Sequence, residues 1–159
     1  MKDLPKVINW RRRDPLTTLS GQPTEAQMAQ IKAMGTRNVI NLGPHSNTGA
    51  LPDEAATLAA LGLRYTYIPV DFANPTEADF DAFCTALVRL KGNPVHVHCI
   101  YNARVSAFYY RYARHGLGGD QQEAFELMDG IWRPGGVWAE FIGKDDDADL
   151  PNRYAGYDY

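Results

Sequence analysis

The period of hydrophobic and polar positions changes several times along the chain, and each change marks an element. "TTLSGQP" (Thr17–Pro23) reads as a short strand and turn. Thr24-Glu25-Ala26-Gln27 has the form of a capping box, a Thr N-cap with Gln at the third helical position. Met28, Ile31 and Met34 continue at helical spacing, and Gly35 supplies the stop. "NVINL" (Asn38–Leu42) has the pattern of a buried strand. The Gly, Pro, Ser and Asn content of Gly43–Pro52 makes that stretch a loop. A short helix from about Asp53 ends at Gly62, and "RYTYIPV" (Arg64–Val70) is the next strand, rich in β-formers. Thr76 caps an amphipathic helix with Phe80, Phe83, Cys84, Leu87 and Leu90 on one stripe, closed by Gly92. "PVHVH" (Pro94–His98) is a third clear strand. A helix from near Arg104 carries Val105, Phe108, Tyr109 and Tyr112 and stops at Gly116, and Asp120 to Glu123 opens another.

Strands alternating with helices predict an α/β fold: a mostly parallel central sheet of about 4–5 strands with helices on both faces. In such sheets ligands bind at the carboxyl ends of the strands. The loops after Leu42, Val70 and His98 fall on that edge. One domain is expected over residues 1–143, followed by a solvated, acidic and tyrosine-rich tail over 144–159.

Composition narrows the function more than the fold. A length of 159 residues suits one domain. The net charge of −3 argues against a globally basic nucleic-acid binder. Two cysteines, Cys84 and Cys99, are not a disulfide framework, so free thiols are expected. The first residues lack the apolar run of a signal peptide. No apolar run approaches the ~18–20 residues of a membrane span. A cytoplasmic protein with neither nucleic-acid nor membrane partners is expected.

The chemistry concentrates in "NPVHVHCIYNARVSAF" (Asn93–Phe108), where Cys99 and Arg104 stand at the junction of a strand and a helix. A helix N-terminus carries roughly half a positive charge and unpaired N–H groups that bind anions. A thiolate held there is stabilised and becomes a competent nucleophile. Arg104 offers a planar fork for two oxygens of a phosphate-like anion. The natural reaction is attack of Cys99 on phosphorus or sulfur. Phosphoryl transfer also needs a proton donor for the leaving oxygen. Asp71, directly after the "YIPV" strand and on the same sheet edge, is the best placed; Asp79 and Asp81 lie inside a helix. Ser106 is a candidate donor to the Cys99 sulfur.

Each of these residues has a plainer reading. A cysteine after a buried strand is commonly a small core residue. Asp71 also suits a turn or helix cap, and Ser106 a structural role. His96 and His98 alternate to one strand face without an obvious third metal ligand, so His98 is expected to support the loop. Cys84 on its helical stripe is expected in the core. The loop interior, Ile100-Tyr101-Asn102-Ala103, contains no glycine. Inward-facing amides often need positive φ, and of these four residues Asn102 tolerates it best and Ile100 worst. Tyr101 is bulky enough to form a wall of the pocket.

"VHCIYNARVSAF" resembles the signature loop of cysteine-based protein tyrosine phosphatases. Taken in order with "LSGQPTEAQMAQIKAMGTRNVINL" and "YIPVDFANPTEADFDAF", it is similar to the bacterial beta-lactamase-hydrolase-like phosphatase family, a branch of the dual-specificity type. The resemblance covers roughly Leu19 to Gly116. It implies a cysteine-phosphatase-like fold without a cofactor or metal. It further implies Cys99 as nucleophile, Arg104 as phosphate-binding arginine and Asp71 as general acid. The amides of Ile100, Tyr101, Asn102, Ala103 and Arg104 would hold the phosphate. The implied substrate is a phosphorylated protein or a small phosphomonoester. The common loop has five residues between Cys and Arg where this chain has four, and a Ser or Thr directly after the Arg where this chain has Val105. The shorter loop also resembles that of rhodanese-type sulfurtransferases, in which Cys99 would carry a persulfide. A non-catalytic phosphate-binding module is a third alternative.

Overall fold

The structure, a computed structural model, describes residues 2–143. The expected tail, 144–159, lies outside the described residues. Five strands form one sheet: β1 (Arg11–Asp14), β2 (Thr17–Ser20), β3 (Asn38–Asn41), β4 (Arg64–Tyr67) and β5 (Val95–His98), in the order β1-β2-β5-β3-β4. β1 runs antiparallel to β2, and the other four are parallel. The sheet is therefore the mostly parallel one expected from the alternation of elements.

Among the described residues six helices cover it: α1 (Glu25–Ala33), α2 (Glu54–Ala60), α3 (Glu77–Arg89), α4 (Ala103–Arg114), α5 (Gln121–Met128) and α6 (Gly136–Ile142). Thr24 and Thr76 close full capping boxes, and Asp53 and Asp120 cap α2 and α5. Two cores result, one on each face. Ile40, Val95 and Val97 pack with Phe80, Phe83 and Phe108 of α3 and α4. Val39 packs on the other face with Met28 and Ile31 of α1 and Leu58 of α2. Alternation along a strand sends consecutive residues to opposite faces. His96 and His98 accordingly face the α1/α2 side, and Val95 and Val97 the α3/α4 side.

Register brings the strand ends into line. Ser20 pairs with His98, His98 with Asn41, and Asn41 with Tyr67. The loops after β2, β3, β4 and β5 thus leave the sheet along one edge.

One boundary differs from the pattern. β4 ends at Tyr67, not Val70, although the Ile68 and Val70 amides still donate to the Asn41 and Leu42 carbonyls at 2.9 and 3.0 Å and keep the chain beside β3. Two elements were not foreseen. β1 reads "RRRD" and has no alternation, since it is an edge strand of intermediate burial. α6 starts on Gly135 with no side-chain cap. Cys84 is only partly buried, packed against the core and not within it, because it sits at the rim of the α3 stripe.

Candidate active site

The stretch from Cys99 to Asn102 joins β5 to α4, and its backbone is set by three carbonyls. The Cys99 oxygen accepts from His98 Nδ1 at 2.8 Å, the Ile100 oxygen from the Gln22 amide at 3.0 Å, and the Tyr101 oxygen from Asn9 Nδ2 at 2.8 Å. In a trans peptide the next N–H points opposite to the carbonyl. The amides of Ile100, Tyr101 and Asn102 are therefore turned away from those partners. Asn102 then takes φ 71° and ψ 9° as N-cap of α4, and its Nδ2 donates back to the Asn9 oxygen at 2.8 Å. This is the left-handed position for which Asn102 was the best suited of the four.

The glycines absent from this loop stand on its neighbours. A Cβ on Gly21, after β2, would lie 2.5 Å from the Ile100 oxygen. A Cβ on Gly43, after β3, would lie 3.1 Å from Ile100 Cδ1 and 3.2 Å from the Cys99 carbonyl carbon. The loop is squeezed between two strand ends, and the missing side chains make the room.

Arg104 occupies the first turn of α4 and is fully buried. Its Nη2 donates to Asn47 Oδ1 at 3.1 Å, and its guanidinium carbon lies 5.2 Å from the centre of the Phe72 ring. The guanidinium borders a cavity of about 660 Å³, shared with Ser46, Asn47 and Thr48 from the β3–α2 loop and Asp71 and Phe72 from the segment after β4. Asp71 is exposed, and its Oδ1 accepts from the Ala73 amide at 3.0 Å. Phe72 is held from behind: its ring lies 5.6 Å from that of Trp132 and 5.4 Å from that of Trp138, and Trp138 Nε1 donates to its carbonyl at 2.7 Å.

The structure therefore brings Arg104 and Asp71 to one cavity. Cys99 is 0% exposed, packs with the α3/α4 core and is not among the residues that line the cavity. Ile100, Tyr101, Asn102 and Ala103 do not line it either. The Ser106 hydroxyl donates to the Ala103 carbonyl at 3.2 Å, which engages its one proton within the helix.

Two residues at the site carried no signal in the sequence. Asn47 is an unremarkable loop residue until the fold sets it on Arg104. Glu54 reads as an acid in the first turn of a short helix, yet it is 1% exposed. Its Oε2 lies 2.7 Å from His98 Nε2, its Oε1 accepts from Gln22 Nε2 at 2.8 Å, and Tyr65 also hydrogen-bonds to it. Burial raises the Glu54 carboxyl, but the His98 charge and the bonds from His98, Gln22 and Tyr65 outweigh burial and hold it below its ordinary value. Burial and the Glu54 charge push the Tyr65 phenol well up. His96 is held well below its ordinary value by burial and by His98. Among the described residues no group of three or more His, Cys, Asp or Glu is arranged to hold a metal ion, and no helix is long and apolar enough to cross a membrane.

No family model matches the chain. A beta-lactamase hydrolase-like protein of Xylella fastidiosa (strain Temecula1) is 35% identical over 107 residues, 65% of this chain. The match takes in 24% of that protein, so the chain spans about a quarter of the curated relative's length. A crystal structure of a "putative phosphatase (DUF442)" from Shewanella putrefaciens CN-32 is 34% identical with a TM-score of 0.77, covering 89% of this chain and 93% of that one. The crystal structure of TpbA from P. aeruginosa, 23% identical, shares the fold with a TM-score of 0.65 over 82% of this chain and 79% of its own. The family resemblance carried by the three sequence segments is met at the level of both sequence and fold.

Proposed function

The chain belongs to the DUF442 family, and on that premise we propose that it is a phosphatase, one that uses Cys99 to hydrolyse phosphotyrosine or another phosphomonoester. The observation that carries this reading is the single cavity bordered by Arg104 and Asp71 at the start of α4. A fixed cation, a helix N-terminus and a carboxylic acid are the parts that phosphoryl transfer needs around its reacting group.

The reaction has two steps. The Cys99 thiolate attacks phosphorus, the ester oxygen leaves, and Asp71 gives it a proton. Water then attacks the phosphocysteine while Asp71 takes a proton from it, releasing inorganic phosphate and restoring the thiolate. Arg104 and the amides of Ile100, Tyr101, Asn102 and Ala103 hold the nonbridging oxygens in both steps. The three outward carbonyls of the loop support that assignment of the amides. In this reading the phosphate replaces Asn47 as the partner of Arg104 Nη2.

The complete burial of Cys99 favours a second reading, a phosphate-binding module in which the thiol never reacts. One experiment separates the two: hydrolysis of p-nitrophenyl phosphate over pH 5–8 under reducing conditions without added metal, for the wild type and Cys99→Ser. Turnover that disappears in the variant establishes the phosphatase. A folded wild type that binds phosphate but turns over nothing establishes the binding module.

A further inference from the structure

His98 and Glu54 form a buried pair behind the Cys99 loop, and nothing in the reaction just described uses it. The donor bookkeeping is informative. Nδ1 of His98 faces the Cys99 carbonyl at 2.8 Å, and a carbonyl can only accept, so Nδ1 carries a proton. Nε2 faces Glu54 Oε2 at 2.7 Å. Glu54 is surrounded by donors. Gln22 Nε2 gives to its other oxygen at 2.8 Å, and the Tyr65 hydroxyl bonds to it as well. The Tyr65 oxygen accepts from Asn41 Nδ2 at 3.0 Å, and its hydrogen bond to Glu54, which raises the phenol and lowers the carboxyl, places its proton towards the carboxylate. These donors and the His98 charge hold the Glu54 carboxyl below its ordinary value in spite of its burial, so it is ionised and Nε2 carries a proton too.

We propose that Glu54 is a positioning residue for the Cys99 loop: it holds His98 doubly protonated and fixes that charge against the Cys99 carbonyl. The consequence for turnover rests on the phosphatase reading above; the protonation of His98 does not. A unit positive charge bound to the backbone of Cys99 favours the thiolate and ties the peptide so that the Ile100 amide faces away from His98.

The other groups around His98 do not supply or cancel this charge. His96, two residues earlier on the same face of β5, has its ring 6.3 Å away. The Ser20 hydroxyl spends its proton on the Gly21 carbonyl at 2.7 Å, so it accepts from His96 Nε2 at 2.8 Å. Burial and the neighbouring His98 hold His96 well below its ordinary value, so it is neutral with its proton on Nε2, and Thr18 Oγ1 donates to its Nδ1 at 2.7 Å. From β4, Tyr65 is a protonated phenol, and the exposed His45 reaches only its hydroxyl, at 2.7 Å. From α4, Arg104 is engaged by Asn47 at the cavity. The charge on His98 is thus set by Glu54.

The test begins with the wild type labelled with nitrogen-15 at histidine and read by NMR at pH 7. His98 is expected to show both ring nitrogens protonated, and Glu54→Gln to return it to a neutral ring with one bare nitrogen. A bare ring nitrogen on His98 in the wild type overturns the proposal. A second readout follows the Cys99 thiolate by its ultraviolet absorbance against pH, in a Cys84→Ser background. Glu54→Gln is expected to move the ionisation step upward by roughly 1 pH unit or more, and Tyr65→Phe to move it less in the same direction. A lower melting temperature with an unmoved step would mean that the pair only braces the fold. If Glu54→Gln does not fold, the wild-type spectrum and Tyr65→Phe decide. Neither readout involves turnover. A protein inactive on p-nitrophenyl phosphate with a doubly protonated His98 defeats the phosphatase reading and leaves this inference standing.

Discussion

The loop from Cys99 to Asn102 leads into the helix that carries Arg104, the segment from Asp71 to Phe72 lines the cavity that Arg104 borders, and the two are held by different forces. The first is tied by buried polar bonds from Asn9, Gln22 and His98, each fixing a carbonyl at 2.8–3.0 Å. The second is held through Phe72, chiefly by the Trp132 and Trp138 rings with one hydrogen bond from Trp138 Nε1 to the Phe72 carbonyl, while Asp71 itself is exposed and bonds only locally, to the Ala73 amide. Hydrogen bonds are directional and set a backbone within narrow limits. Aromatic packing fixes position without fixing a carboxylate's torsions. The difference fits the roles proposed for them. An anion cradle must be preorganised to be worth anything electrostatically. A proton donor must follow the leaving group, and an exposed side chain on a packed anchor can do so.

The comparison can be broken from its strongest point outward. Cys99→Ser removes the nucleophile, and phosphomonoester hydrolysis is expected to fall to background while phosphate binding persists; residual turnover above background would contradict a covalent route. Arg104→Ala is expected to lower kcat/KM by about 10²–10³-fold, and Arg104→Lys to restore little, because an ammonium has no planar fork. Steady-state kinetics of the two variants decide this.

Trp138→Ala strips the anchor behind Phe72. It is expected to cost about 3–5 kcal/mol of stability in urea unfolding, and to lower kcat more than it weakens phosphate binding. Equal losses in both would mean that the two regions are not separately held. Asp71→Asn is expected to lower kcat by about 10²-fold on phenyl phosphate and by less on p-nitrophenyl phosphate, whose leaving group needs less help. Equal losses on the two substrates would remove Asp71 from the acid role.

The smallest effect concerns pH and the polar region alone. The Glu54 carboxyl is lowered on folding from an ordinary 4.5. A group lowered on folding adds stability that is complete above its unfolded value and is lost as the pH falls through the folded one. Stability is therefore expected to decline below about pH 4.5 with a share that Glu54→Gln removes, measured by urea unfolding at pH 7 and pH 4. An unchanged acid limb in the variant would show that Glu54 gains nothing on folding.

Much of the site was legible because it is local. Cys99 and Arg104 are placed by a strand end and a helix start five residues apart, and the caps at Thr24, Asp53, Thr76 and Asp120 act within one turn. Asn102 was singled out by the φ tolerance of its own side chain. The Glu54–His98 contact joins residues 44 apart in sequence, Arg104 and Asn47 are 57 apart, and Asn9 reaches Tyr101 over 92. Nothing in a local pattern signals such pairs. β1 and α6 escaped for a related reason: neither has its own alternation or cap, and each forms against a neighbour that already exists.

The sequence by itself determined the alternation of strands and helices, the sheet edge on which function gathers, and the cysteine–arginine junction with its left-handed asparagine. These follow from side-chain period, capping and backbone sterics, which operate over a few residues. The tertiary structure alone decided that β5 lies between β2 and β3, and with it that His98 meets a buried Glu54, that Gly21 and Gly43 flank the loop, and that Cys99 is buried in the α3/α4 core while Arg104 borders a cavity. Strand order determines which distant groups are driven out of water together, and burial and partnership are properties of that meeting.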